Sequence, residues 1–241
     1  MNIKIILSYD GSKFDGSATQ PSRNTVQDIL ENSFKLINID TKTIFSGRTD
    51  KNVHATRQVV SCVIPSYWDN LTKLKKVLNK LLPNSILIRS IFQVDDSFHA
   101  RFSAKKRSYR YIISTKPYTP FSSNYVYNLD SKIDIKLLKE ASKYFIGVFD
   151  FEYFSKKGSD PKSTIREIYN VKVYTYTDLI IIHFSANSYL RSQIRMMVDF
   201  LLKIATSKLT IEQLQLQLTK KKLISWTLAP ASGLYLSKIY Y

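Results

Sequence analysis

A short polar segment between two predicted strands carries the side chains best suited to chemistry. This segment, residues 47–55, reads GRTDKNVHA. Arg48 and Lys51 flank Asp50, and neighbouring cations lower a carboxyl pKa and keep the group ionised as a nucleophile or base. The alternative for Asp50 is an Asx-turn or a helix cap. His54 is either a general base or a neutral histidine bonded to backbone.

A basic segment with interleaved tyrosines forms a second candidate site. Residues 101–111 read RFSAKKRSYRY and enter a predicted strand. Because side chains alternate across a strand, a tyrosine there could stack on a base beside cations that bind phosphate. The alternative is a solvated edge strand that its charges protect from aggregation.

Two arginines near the start of a later amphipathic segment form a third candidate feature. Arg191 and Arg195 are four residues apart, which places them on one face of a helix. That face is either a solvated flank or the wall of a site.

The overall charge favours an anionic partner. The chain has 241 residues with 36 Lys and Arg against 19 Asp and Glu, a net charge of +17. Nucleic acid is the first candidate and an anionic membrane surface the second. A hydrophobic fraction of 44% excludes a disordered basic tail. No run of about 18 uncharged apolar residues occurs, so we expect a soluble, cytoplasmic protein.

Cysteine and histidine usage argues against metal and disulfide chemistry. Cys62 is the only cysteine, and an internal disulfide needs two. No Cys/His pair has zinc-ligand spacing, and no glycine-rich phosphate loop occurs. We therefore expect no metal and no cofactor.

The elements that must position these residues follow a β-α-β-β-α-β order in the first half. Their predicted ranges are 2–9, 25–37, 43–46, 58–64, 67–82 and 86–94. The second half is similar but less regular, with predicted elements at 109–114, 135–145, 168–176, 179–186, 190–205, 211–220 and 234–239. The predicted class is α+β. We expect two ferredoxin-like, RNA-recognition-like sandwiches with antiparallel sheets, residues 1–104 and 105–241, joined around a basic cleft.

Several motifs in a fixed order resemble one enzyme family. They are GRTD at residues 47–50 with VHA at 53–55, FHARFSA at 98–104, RSYRY at 107–111, ANSYL at 186–190 with Arg195, and APASGLYL at 229–236. With YDGS at residues 9–12 and TVQ at 25–27, these motifs are distributed over almost the whole chain. This set resembles the TruA family of tRNA pseudouridine synthases.

The resemblance implies a reaction, a substrate and an assembly. The reaction is isomerisation of uridine to pseudouridine on the 3′ side of the anticodon stem-loop of tRNA, without metal, redox or nucleotide cofactor. The target base must first leave its stack. The family also implies a homodimer with tRNA lying across both subunits.

The resemblance assigns roles to individual residues. Asp50 matches the catalytic aspartate, Arg195 the arginine that pairs with it, and Tyr109 the tyrosine that stacks on the flipped base and assists proton removal at C5. Arg48 matches an arginine that helps to extrude the base. The residues implied to bind phosphate are Lys105, Lys106, Arg107 and Arg110.

The sequence also departs from the family pattern around the first site. Ser17-Ala18 stands where the family has Trp-Gln, Lys51-Asn52 replaces Ala-Gly, and Arg57 replaces a glycine. Asn tolerates a left-handed backbone, so it can serve in such a turn. The departures keep a second hypothesis open, an RNA-binding or RNA-chaperone protein of this fold that has lost catalysis. A third hypothesis, a metal-dependent nuclease, needs converging carboxylates, for which Asp50, Asp95 and Asp96 are the candidates near the basic motifs.

Overall fold

The computed structural model describes residues 1–158 and 161–241, and its class is α+β, as the sequence predicts. The chain divides into two compact units. Met1–Lys105 and Tyr235–Tyr241 form the first unit, and Lys106–Leu234 form the second. The last strand lies at the C-terminal end of the chain, yet from Tyr235 onward it belongs to the first unit.

The described residues form ten strands and five α-helices. In the first half these are β1 (Asn2–Tyr9), α1 (Val26–Lys35), β2 (Ile44–Phe45), β3 (His54–Val63), α2 (Leu71–Leu81) and β4 (Ile86–Gln93). The later elements are β5 (Lys106–Ser114), β6 (Tyr127–Asn128), α3 (Ile135–Lys143), β7 (Gly147–Asp150), β8 (Ile165–Tyr176), β9 (Leu179–Ala186), α4 (Gln193–Ala205), α5 (Ile211–Leu218) and β10 (Leu234–Tyr240).

The first unit has the predicted β-α-β-β-α-β order. Strand β1 lies between β3 and β4 and pairs antiparallel with both, and β2 pairs antiparallel with the second half of β3. Alternate residues of β1 are fully buried: Ile3, Ile5 and Leu7. Leu30 and Leu74 are the fully buried counterparts on α1 and α2. Helices therefore cover one face of an antiparallel sheet.

Side-chain caps set where the two helices of this unit begin. Thr25 Oγ1 accepts the backbone N–H of Asp28 at 3.2 Å and caps α1, as the sequence predicts. Asn70 Oδ1 accepts the N–H of Lys73 at 2.9 Å. Helix α2 therefore begins at Leu71, four residues later than the hydrophobic spacing suggests.

Strand β3 begins four residues earlier than its local pattern predicts. Its first residues pair in parallel with β10, where Tyr235 lies opposite His54 and Leu236 opposite Ala55. A partner from the other end of the chain thus makes a strand of residues whose local sequence indicates a loop.

The second unit has the strand order β5-β9-β8-β7, antiparallel throughout, with β6 parallel to β5. The ladder between β5 and β9 already begins at Arg107 opposite Ala186, so β5 extends three residues before the predicted start. Tyr111, Ile182 and Phe184 are fully buried. The buried side chains of α4 complete this core, and most of that helix is apolar.

Candidate active site

The loop that carries Asp50, residues 47–53, joins β2 to β3 in the first unit and is paired with the segment before α1. The N–H of Thr49 donates to Ser17 Oγ at 2.8 Å, and the N–H of Ser17 donates to the Thr49 carbonyl at 3.1 Å. Both residues are buried. Ser17, a departure from the family pattern, therefore contributes directly to the shape of this loop.

A buried polar network holds the base of the same loop. The hydroxyls of Tyr9 and Thr49 lie 2.8 Å apart, and Gln58 Nε2 donates to the Gly47 carbonyl at 2.9 Å. Ser46 Oγ donates to Gln58 Oε1 at 2.8 Å. Burial raises the pKa of Tyr9 to about 12 against the opposing hydrogen bonds from Thr49 and Gln58. The phenol is therefore neutral at physiological pH.

Two glycines allow the neighbouring chain to approach this loop closely. A Cβ on Gly11 would lie 2.0 Å from the Val53 carbonyl oxygen. Gly16 has φ of +106°, and a Cβ there would lie 2.9 Å from the Thr49 carbonyl oxygen. Any side chain at Gly11 would collide with the backbone of Val53. Close packing therefore requires a glycine at this position, in addition to the turn that Asp10-Gly11 forms.

Asp50 lies in a tight turn and is half-buried. Its carbonyl accepts the N–H of Val53 at 3.1 Å, and Asn52 has a φ of 66°, the left-handed conformation that asparagine tolerates. Arg48 is exposed. The turn thus places a carboxylate and a solvent-facing guanidinium two residues apart.

Lys51 forms an ion pair with a carboxylate other than that of its sequence neighbour Asp50. Its Nζ lies 2.8 Å from Asp15 Oδ1. The hydrogen bond from Lys51 is the largest contribution holding the pKa of Asp15 below its ordinary value. The Lys51 charge is therefore engaged by a different carboxylate.

His54 matches the neutral, backbone-bonded alternative. It is buried, its ring stacks on Tyr235 with centroids 4.6 Å apart, and its Nδ1 accepts the N–H of Gly11 at 3.1 Å. Asp10 Oδ1 lies 3.3 Å from the same nitrogen but accepts both the N–H and the hydroxyl of Ser12. A nitrogen that accepts a backbone N–H carries no proton, so this imidazole is neutral.

Tyr109 lies in the second unit, on β5, and is buried. Its ring meets the ring of Tyr189 edge to face, with centroids 5.3 Å apart and planes at 84°. Beside it, Arg107 Nη1 donates to the Asn187 carbonyl at 2.9 Å. Asn187 Oδ1 in turn accepts the N–H groups of Glu167 and Ser188. The segment after β9 is therefore held against the start of β5.

The basic residues around Tyr109 are divided between the two faces of β5. Arg107 shares the face of Tyr109, whereas Lys106 and Arg110 alternate to the opposite face. There Arg110 lies opposite His183. Burial first, and then Arg110, Lys106 and Lys172, lower the pKa of His183. Tyr109 and these two cations therefore do not form one patch.

Lys105, by contrast, belongs to the first unit. Its N–H donates to the Tyr240 carbonyl at 2.9 Å, and its side chain is exposed. The backbone bond fixes the residue while the ammonium group remains in solvent.

Arg195 and Arg191 do not share a helix face. Ser192 has a φ of 57°, so α4 begins at Gln193 and Arg191 precedes it. Arg191 Nη1 donates to the carbonyls of Lys157 and Gly158, each at 3.3 Å. Arg195 is on the helix, and its Nε donates to the Ala229 carbonyl at 2.8 Å. Because the left-handed conformation of Ser192 separates Arg191 from the helix, the two guanidinium groups make different contacts.

The two units thus hold different parts of the expected site. Asp50 and Arg48 lie in the first unit, and Arg107, Tyr109 and Arg195 lie in the second. Ser17, Gln58 and Tyr189 are members of these networks that were not predicted as functional residues. Two of them had a signal in the sequence: Ser17 stands where the family pattern has Trp, and Tyr189 lies in the segment 186–190.

The described part of the chain provides no candidate metal centre: none of its His, Cys, Asp and Glu side chains form a cluster of three or more that could hold an ion. Burial, as the largest cause, raises the pKa of Cys62 to about 12, so this thiol is protonated at physiological pH. Across residues 1–158 and 161–241, the helices are too short or too polar to span a bilayer.

Comparison with known proteins identifies relatives over the full length of the chain. A family model described as tRNA pseudouridine synthase matches residues 5–103 and 141–241. The chain is 44% identical over 241 residues to tRNA pseudouridine synthase A of Campylobacter jejuni subsp. doylei, with 100% of both chains covered. Identity is 38% with the protein of the same name from Wolinella succinogenes, covering 98% of this chain and 92% of the relative.

A more distant relative carries the same name. Identity to tRNA pseudouridine synthase A of Limosilactobacillus reuteri is 35%, covering 99% of this chain and 96% of the relative. A solved H/ACA ribonucleoprotein bound to a substrate RNA containing 2′-deoxyuridine matches at 13% identity and a TM-score of 0.37, covering 83% of this chain and 44% of that chain. That likeness is too distant to bear on function.

The full-length relatives and the family match confirm the resemblance seen in the motifs. The chain belongs to the TruA family of tRNA pseudouridine synthases, which are isomerases.

Proposed function

We propose that this enzyme modifies uridines on the 3′ side of the anticodon stem-loop of tRNA, with Asp50 as its nucleophile. The observation that carries the proposal is the loop itself: a half-buried carboxylate in a turn that Ser17, Gln58 and two close-packed glycines hold in place. A rigid setting of this kind is what a nucleophile needs to meet its target in a fixed geometry.

The proposed chemistry moves one bond of the uridine without changing its composition. The Asp50 carboxylate attacks the sugar or the base, the bond between N1 and C1′ breaks, and the base rotates. A bond then forms between C5 and C1′, the covalent bond to Asp50 breaks and restores the free carboxylate, C5 loses its proton, and N1 gains one. These bond and proton changes require neither a metal ion nor a redox group.

The remaining residues take supporting roles in this proposal. Arg195 pairs with Asp50, and its Nε bond to the Ala229 carbonyl limits its side-chain freedom. Tyr109 stacks on the flipped base, supported by the buried setting of its ring. Arg48, exposed in the Asp50 loop, helps to extrude the base.

The phosphate-binding roles follow the positions of the cations. Lys105 has a fixed backbone and an exposed ammonium group, which suits contact with the tRNA backbone. Lys106 and Arg110 would bind phosphate on the face of β5 opposite Tyr109. Arg107 has one nitrogen bound to Asn187, so its contact with phosphate would use the others.

Assembly and location are part of the same proposal. The family resemblance supports a homodimer, which light scattering coupled to gel filtration measures directly. A cytoplasmic location is supported by the family's tRNA substrates and by a chain whose single cysteine forms no internal disulfide.

The test of the nucleophile uses tRNA carrying tritium at C5 of uridine. Asp50→Asn keeps the size of the side chain and should lower tritium release at least about a thousandfold. Asp69→Asn, an exposed aspartate of the same unit, is the matched control and should release tritium at the wild-type rate. Release by Asp50→Asn near the wild-type rate would overturn the assignment.

The site of modification needs a separate measurement. Mapping pseudouridine in tRNA from cells with and without the gene should show losses on the 3′ side of the anticodon stem-loop. Losses confined to another arm of the tRNA would contradict the proposed target.

A further inference from the structure

Tyr189 stands beside the proposed base-stacking residue and has no role in the function described so far. It follows β9, within the segment 186–190, and its ring meets Tyr109 edge to face with centroids 5.3 Å apart. The neighbouring Asn187 fixes this segment through its bonds to Arg107, Glu167 and Ser188. The position of Tyr189 relative to Tyr109 is therefore set by structure on both sides.

The hydroxyl of Tyr189 is buried and has no hydrogen-bond partner among the described residues. Burial first, and then the neighbouring Tyr109, raise the pKa of Tyr189 well above its usual value. The group therefore remains protonated at physiological pH and is available as a donor.

Two other buried tyrosine hydroxyls are paired, unlike that of Tyr189. Tyr111, two residues after Tyr109 on the same strand face, donates to the Pro230 carbonyl at 2.8 Å, and Tyr9 is bonded to Thr49. Four further buried polar side-chain atoms without partners belong to Trp68, Asn128, Arg166 and Ser237. Among these five residues, Tyr189 is singled out by its ring contact with Tyr109, a residue of the proposed site.

A buried donor without a partner is costly, and proteins retain few of them. The cost is recovered if the partner arrives with a ligand. The ligand expected beside Tyr109 is a flipped uridine, whose base presents two carbonyl oxygens at its edge.

We infer that Tyr189 is a substrate-binding residue whose hydroxyl donates a hydrogen bond to a carbonyl oxygen of the flipped uracil. This inference rests on the proposed stacking role of Tyr109. It gives the pair two functions: Tyr109 contacts the face of the base, and Tyr189 reads its edge.

The test removes the hydroxyl and keeps the ring. In Tyr189→Phe the edge-to-face contact with Tyr109 remains, so kcat/KM for tritium release should fall about tenfold through the lost hydrogen bond. The thermal midpoint of the free protein should stay the same or rise, because the hydroxyl has no bond there to lose. Tyr111→Phe is the matched comparison, and its midpoint should fall because it loses the bond to Pro230.

Both results are required of Tyr189→Phe. An unchanged kcat/KM overturns the inference, and so does a midpoint that falls as far as that of Tyr111→Phe, since the hydroxyl would then have a structural partner. Asp50→Asn, assayed in parallel, separates this inference from the proposed function. If Asp50→Asn is inactive and Tyr189→Phe is fully active, only the role of Tyr189 fails.

Discussion

The Asp50 loop and the strand that carries Tyr109 are held by different kinds of contact. The loop depends on buried side-chain hydrogen bonds, from Ser17 and Gln58, and on the absence of a side chain at Gly11. Strand β5 depends on a continuous backbone ladder with β9 and on aromatic packing against Tyr189.

The difference indicates which substitutions each region tolerates. Backbone ladders do not depend on the identity of a side chain, whereas a loop held by side chains loses its shape when one of them is lost. Single substitutions should therefore disturb the Asp50 loop more than the Tyr109 strand, even where the side chain that changes never touches RNA.

The largest effect is expected from Gly11→Ala. The new Cβ would lie 2.0 Å from the Val53 carbonyl oxygen, so the backbone of the loop must move. We expect a loss of about 3 kcal/mol or more in the free energy of unfolding and at least about a hundredfold loss in kcat. Urea denaturation measures the free energy of unfolding, and tritium release measures kcat.

The comparison glycine for that experiment is Gly147. Its φ of +126° strains any replacement, but a Cβ there meets only the flexible side chain of Phe149. Gly147→Ala should cost about 1 kcal/mol and leave kcat unchanged. Equal losses of stability and kcat in Gly11→Ala and Gly147→Ala would show that the close approach of Val53 to Gly11 is not the cause.

A smaller effect is expected from Ser17→Ala. The variant leaves the Thr49 N–H buried without its acceptor, which should cost about 1–3 kcal/mol in stability. Because the residue adjacent to Asp50 then shifts, kcat should fall about a hundredfold while tRNA affinity changes little. Ser33→Ala is the control: this buried serine bonds to the Ile29 carbonyl within α1, and its loss should not alter kcat. A normal kcat for Ser17→Ala would show that the loop keeps its shape without this bond.

Tyr109→Phe tests the strand side of the comparison. Stacking area is retained, so tRNA affinity should match the wild type, while loss of the hydroxyl should slow turnover about tenfold. Single-turnover kinetics with saturating enzyme measure this step. Equal turnover in the two proteins would exclude a function for the hydroxyl and leave Tyr109 as a stacking surface alone.

The smallest effect is expected from Lys105→Ala, which changes an exposed side chain on a fixed backbone. The slope of log affinity for tRNA against log salt should decrease by roughly one unit, with little change in affinity at low salt. Lys35→Ala, on the exposed end of α1, should leave the slope as it is. If both variants have the wild-type slope, Lys105 does not contact phosphate.

Local sequence patterns were sufficient for much of the fold. Strand β1 and strand β9 have the predicted bounds, and Thr25 caps α1 as expected, because alternation and capping are short-range properties. The start of β3 was missed because its partner, β10, lies at the far end of the chain.

The candidate site shows the same difference between features set by local sequence and features set by distant parts of the chain. The motifs around Asp50 and Tyr109 are contiguous in sequence and therefore identify the family without any structure. Partners of the charged residues could not be inferred in this way: Lys51 lies next to Asp50 in the sequence but pairs with Asp15, and Arg191 donates to the carbonyls of Lys157 and Gly158 whereas Arg195 donates to that of Ala229.

By itself, then, the sequence determined the α+β class, the family and the residues proposed to act on uridine. Only the tertiary structure decided what holds those residues: Ser17 against Thr49, Gly11 against Val53, and the unpaired hydroxyl of Tyr189 beside Tyr109. The reason is physical. Hydrogen bonds and close approaches between segments separated by tens of residues depend on distances in space, which spacing along the chain does not encode.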